Sequence, residues 1–154
     1  MSRGSTVGSG SRIWLIEDNS DDVTFIESAF KRCVEGCELT PLSDGDGIVA
    51  RLHGTPPRSR PHVILLDLNL PTRDGHDVLA DLKSDPELRQ IPVIVLTASR
   101  RESDVAKSYE RHANAHVAKP NDFREYEELA QGIASFWLRV VGEPAHAGAH
   151  ARVH

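Results

Sequence analysis

Only two cysteines, Cys33 and Cys37, occur in the 154 residues. Spaced four apart, they form no Cys-x-x-Cys pair and have no second ligand cluster, which leaves no basis for a disulfide scaffold, a structural zinc site or a dithiol redox centre. Two reduced thiols in a cytoplasmic protein is the reading that remains. Long apolar runs are missing too. No stretch approaches the roughly 18 apolar residues of a membrane span, and the Gly/Ser-rich stretch Met1 to Ser11 lacks the apolar core of a signal peptide. We therefore expect a soluble protein that does not engage a membrane. Basic blocks are equally scarce: 18 Lys and Arg against 23 Asp and Glu give a net charge of −5, mixed along the chain. A nucleic-acid binder needs a phosphate-facing basic stripe, and none is present. No internal repeat marks a solenoid.

What is present is alternation of short apolar runs with amphipathic stretches. Val63-Ile64-Leu65-Leu66 reads as a strand buried on both faces, the kind found at the centre of a parallel sheet. Arg12 to Ile16, Glu38 to Leu42, Pro92 to Thr97 and Ala115 to Ala118 are four further strands, the second of them weak. Helices are expected after Asn19 or Ser20, over Ile48 to Leu52, from an opening at Asp74-Gly75-His76-Asp77 to Ser84, from Ser103 to His112, and from a cap at Asn121 or Asp122 to Val141. His53 to Pro61, with three prolines, reads as a loop. Asp85-Pro86 closes the third helix, because the residue before proline resists the α conformation. Five strands alternating with five helices imply right-handed crossovers and a flavodoxin-like α/β sandwich, with a parallel five-stranded sheet in the order 2-1-3-4-5.

That order brings one edge of the sheet to attention. Glu17 and Asp18 follow the first strand, Asp67 the third, Thr97 closes the fourth and Lys119 follows the fifth. Three carboxylates within reach of one another repel unless a cation sits among them, and hard oxygen donors with places left for water suit Mg²⁺. A metal, a lysine and a hydroxyl neutralise the oxygens of a migrating phosphoryl group, and a carboxylate serves as the nucleophile that accepts it. Asp21 and Asp22 are read as charges favouring the start of a helix rather than as ligands.

Glu17-Asp18, the run Leu65-Leu66-Asp67-Leu68-Asn69-Leu70-Pro71 with Asp74-Gly75, Thr97-Ala98 and Lys119-Pro120, in this order on a five-fold βα pattern, resemble the receiver domain of two-component response regulators. The resemblance covers Arg12 to about Val141. It implies that Asp67 is the phosphoacceptor, that Asp18 ligands Mg²⁺ directly and Glu17 largely through water, and that the Asn69 backbone carbonyl completes the metal site. It further implies that Thr97 binds a phosphoryl oxygen, that Lys119 pairs with the phosphate, and that the Lys119-Pro120 bond is cis. Where the family usually has Tyr or Phe as a switch residue, three before the lysine, this chain has His116. A titratable ring at that place would make the coupling pH-sensitive.

The finer texture, Leu-Asp-Leu-Asn-Leu-Pro, Lys83-Ser84-Asp85-Pro86 and Phe136-Trp137-Leu138, is similar to single-domain regulators that work with bacterial phytochrome-type histidine kinases. On that resemblance the partner is a sensor histidine kinase or phosphotransfer protein, and the only chemistry is self-catalysed phosphoryl transfer and autodephosphorylation. The expected layout is a flexible segment over 1–11, the receiver over 12–141 and a disordered tail over 142–154, in which His146, His150 and His154 recur. The tail is too short for an output domain. The stripe Tyr126, Leu129, Ile133, Phe136, Trp137 and Val140 leaves surplus apolar surface on the last helix, from which we expect a homodimer. Two alternatives stay open: a metal-dependent phosphohydrolase with an aspartate nucleophile, and a receiver-shaped interaction module that is never phosphorylated. The hydrolase reading lacks the second carboxylate such enzymes carry two residues on, where this chain has Asn69.

Overall fold

Successive side chains of a strand point to opposite faces, so an unbroken apolar run is stable only where both faces are covered. In the computed structural model, which describes residues 10–98 and 102–138, Val63 to Leu66 are all fully buried. They form β3, Val63–Leu66, between β1, Arg12–Ile16, and β4, Val93–Thr97. The outer strands are β2, Glu38–Leu42, beside β1, and β5, Ala115–Ala118, beside β4. All pairs are parallel, and the order is 2-1-3-4-5 as expected. The weakness of β2 has a cause. Pro41 can donate no ladder hydrogen bond, which an edge strand tolerates and a central one does not.

The two faces carry separate cores. Ile13, Leu15, Val63, Leu65, Ile94 and Leu96 pack against α1, Ser20–Cys33, through Ile26, Ala29 and Phe30, and against α5, Phe123–Ile133, through Tyr126, Ala130 and Ile133. Trp14, Ile16, Ile64, Leu66, Val93 and Val95 pack against Ile48 and Leu52 of α2, Ile48–His53, and against Val78, Leu79 and Leu82 of α3, Gly75–Ser84. Each fully buried aliphatic side chain contributes about 1.5–3 kcal/mol. The alternation therefore holds helices to both sides of one sheet. No helix among the described residues is long and apolar enough to cross a membrane.

Helix ends follow local chemistry. Asn19 caps α1 by accepting from the Asp22 amide at 3.0 Å, Asp74 caps α3 through the His76 amide at 2.8 Å, and Asp122 caps α5 through the Glu125 amide at 2.9 Å. The expected loop at 53–61 contains a single 3₁₀ turn, Pro57–Ser59. The fourth helix, α4, spans Glu102–Glu110, shorter at its end than expected, because His112 turns to a left-handed φ of 69°. The last helix departs more. After Ile133 the chain widens into a π-type turn, Ala134–Leu138, and the extra residue per turn rotates the apolar stripe. Leu138 becomes buried while Phe136 is 41% exposed, its ring set edge-on against Trp137. Val140, Val141 and the histidines of the tail lie outside the described residues, as do Met1 to Ser9.

Candidate functional site

Backbone hydrogen bonds between neighbouring strand ends gather the polar residues at the carboxyl edge of the sheet. The Glu17 amide donates to the Leu42 carbonyl at 2.9 Å, the Asp67 amide to Ile16 at 3.0 Å and the Lys119 amide to Thr97 at 2.8 Å. These bonds tie together the ends of β2, β1 and β3 and those of β4 and β5, and the β3–β4 ladder joins the two groups. Glycine makes this possible at one point: a Cβ on Gly75 would stand 2.4 Å from the Leu68 Cα and 2.6 Å from the Asp67 carbonyl oxygen. Only a residue without a side chain lets the first turn of α3 close on the loop that follows Asp67.

Glu17, Asp18 and Asp67 each offer an oxygen, and these lie within 4.8 Å of one another. Glu17 and Asp67 are buried, whereas Asp18 is exposed. Burial pushes the Glu17 carboxyl up to about 7, against the hydrogen bond from Lys119 and with the help of the Asp67 charge. The Asn19 amide also donates to Glu17 Oε2 at 3.1 Å. Asp67 Oδ1 is buried without a hydrogen-bond partner among the described residues. A buried carboxylate oxygen left in that state is costly unless a cation meets it. Three hard oxygen donors, one of them open to solvent, fit a hard divalent cation that keeps several waters. The Asp18 side opens into a cleft of about 450 Å³, also lined by Asn69, Asp74 and His76.

Lys119 supplies the opposite charge. Its Nζ lies 2.8 Å from Glu17 Oε1, 2.7 Å from Asp22 Oδ2 and 3.6 Å from Asp67 Oδ2. Burial opposes its charge, yet the hydrogen bond to Asp22, the ion pair with Glu17 and the nearby Asp67 carboxylate outweigh burial and raise its pKa. The lysine is thus a fixed cation. Thr97 is fully buried at the end of β4. Glu17, Asp18, Asp67, Thr97 and Lys119 all stand at one edge, and Asn69 follows in the cleft. His116 stands apart on β5, facing α4: its Nδ1 is 3.0 Å from Ser108 Oγ, and its amide donates to the Tyr109 phenol oxygen at 3.2 Å.

Two expectations change. The chain holds no cis peptide bond among the described residues, so Lys119-Pro120 is trans, the isomer favoured by about 0.5–1 kcal/mol even before proline. Asp22 is more than a helix-terminus charge, because its carboxylate accepts from Lys119. The sequence did carry a signal for it: α1 starts at the carboxyl edge of the sheet, so its first turn must lie beside the strand-end residues. Tyr126, in the first turn of α5, lines one cavity with Asp22 and Lys119.

The model of the response regulator receiver domain matches residues 13–131. Response regulator Rcp1 of Synechocystis sp. (strain PCC 6803) is 43% identical over 136 residues, which is 86% of this chain and 92% of Rcp1. Among solved structures, the phosphorylated cyanobacterial phytochrome response regulator RcpA superposes with a TM-score of 0.75 at 40% identity, covering 83% of this chain and 94% of RcpA. The Mn²⁺-bound form of Rcp1 gives 0.73 at 41% identity over the same shares.

Proposed function

Because the chain belongs to the response regulator receiver family, we propose that it is a single-domain regulator whose Asp67 takes a phosphoryl group from the phosphohistidine of a sensor histidine kinase. The observation that carries this is Asp67 itself: a buried carboxylate with one unpartnered oxygen, two more carboxylates close by and a fixed ammonium 3.6 Å away. Asp67 attacks phosphorus in line, the P–O bond forms as the P–N bond to imidazole breaks, and the electron pair leaves with the imidazole nitrogen. Lys119 and Thr97 then face the phosphoryl oxygens. Water later returns Asp67 to its free state, and no separate substrate is turned over.

Glu17, Asp18, Asp67 and the Asn69 carbonyl would hold Mg²⁺, which when bound neutralises phosphoryl oxygen charge. Similarity to the Mn²⁺-bound form of Rcp1 supports binding of a divalent ion, and the likeness to a phytochrome response regulator supports a phytochrome-type kinase as partner; a cytoplasmic location goes with that reading. The receiver unit is taken as 12–141. The signal leaves through β5, α4 and the last helix. His116 stands in the usual place of an aromatic switch and is tied to Ser108 of α4, so a shift of Thr97 on the adjoining strand reaches α4 through it. Exposed Phe136 on the last helix supports a homodimer whose affinity for itself or a partner changes with phosphorylation.

The experiment is incubation with acetyl phosphate, with Mg²⁺ or with chelator, followed by intact mass measurement. A gain of one phosphoryl group only with Mg²⁺ is expected. Multiple-turnover hydrolysis without a trapped adduct would make the protein a phosphohydrolase, and no adduct even from a kinase would make it a module that is never phosphorylated.

A further inference from the structure

Lys119 is shared by three carboxylates, and the nearest of them is outside the metal-ligand set. Asp22 Oδ2 lies 2.7 Å from the ammonium, Glu17 Oε1 2.8 Å and Asp67 Oδ2 3.6 Å. Two contacts are at hydrogen-bond length, and the one to Asp67 is not. A bound cation draws on the charge of Glu17 and Asp67, which belong to its donor cluster. It leaves Asp22 untouched as a competitor. Nor does Asp22 simply follow the lysine: it is fixed in the first turn of α1, where its amide donates to the capping Asn19 side chain at 3.0 Å. Tyr126 is buried and stacks on Phe25 of α1, with ring centroids 5.9 Å apart. A cavity of about 330 Å³ opens between these residues and Ala98, Pro120 and Asn121.

We propose that Asp22 is a positioning residue that holds the Lys119 ammonium back from Asp67 in the resting state, so that phosphorylation must take the lysine from it. The inference rests on the reading of Asp67 as phosphoacceptor. Phosphorylation replaces the single negative charge of Asp67 with about −1.5 to −2 on the phosphoryl group, against the single charge of Asp22. The lysine therefore moves, but only after giving up a short ion pair. Asp22 lowers the affinity of the site for a phosphoryl group and sets how completely Lys119 responds.

The test uses the full chain with Mg²⁺ and beryllofluoride, an anion that mimics the phosphoryl group on a carboxylate, with affinity read from the bound ¹⁹F signal. Asp22→Asn removes the competing charge at constant size from a side chain that is partly exposed. Affinity is expected to tighten about fivefold, equivalent to about 1 kcal/mol for one ion pair. In a Lys119→Gln background Asp22→Asn is expected to change affinity less than about twofold, since the effect runs through the lysine. An equal tightening in both backgrounds would mean that Asp22 acts by charge through space and would overturn the proposal, as would unchanged or weakened affinity with Lys119 present. Failure of the wild-type protein to bind beryllofluoride would overturn the reading of Asp67 as well.

Discussion

At the scale of single residues, the site depends on groups that could not be exchanged for near relatives. Gly75 is the sharpest case, since the atoms a Cβ would meet are backbone and cannot swing aside. Gly75→Ala is expected to push the Asp67-Leu68 peptide out of place and slow phosphoryl uptake by about a hundredfold, the usual consequence of a 1 Å misplacement of a reacting group. Uptake from acetyl phosphate measures it. His53 is a second case, outside the site. Its Nε2 lies 2.6 Å from Asp85 and its Nδ1 2.8 Å from Glu87, an arrangement that requires both nitrogens to carry protons. The Asp85 hydrogen bond leads in raising its pKa above the ordinary histidine value. A raised folded pKa gives stability that is fully present below the unfolded value and is lost as pH rises through the folded one. The denaturation midpoint of wild type relative to His53→Gln is therefore expected to be higher at pH 6 than at pH 9. Urea titrations at the two values test the sign.

At the scale of elements, the central strand and the alternating cores were legible because burial on both faces forces an uninterrupted apolar run, and Val63 to Leu66 has no other use. Leu65, fully buried against α1 and α5, should cost about 2–5 kcal/mol when cut to alanine, measured by chemical denaturation. The strand-end residues Glu17, Asp18, Asp67, Thr97 and Lys119 were legible for the same reason: each interrupts an apolar run at the same edge. Asp22 was harder to read: the start of α1 at the carboxyl edge places it near these residues, but an acid in a first helical turn is explained by the helix alone, and its partner Lys119 is 97 positions away. The π-type turn at Ala134–Leu138 was hidden as well. Both registers offer apolar residues to the core there, and packing of Leu138 decides between them.

At the scale of the whole molecule, the sheet brings charge from distant parts of the chain together at one edge, and that gathering has a cost until a cation is bound. Mg²⁺ should accordingly raise the unfolding free energy, by about 2.7 kcal/mol at a concentration one hundred times its dissociation constant. Asp18→Asn should remove most of that gain while leaving the metal-free protein little changed, because Asp18 is exposed. Thermal unfolding with and without Mg²⁺ reads both.

All of this turns on Asp67 being the residue that is phosphorylated. Borohydride converts an aspartyl phosphate to homoserine, so the protein should be treated with acetyl phosphate and Mg²⁺, reduced, digested and mapped by mass. Homoserine is expected at position 67 in the wild-type protein, and no modified peptide in Asp67→Asn. Modification at any other carboxylate, or a wild-type protein that carries none, would contradict it.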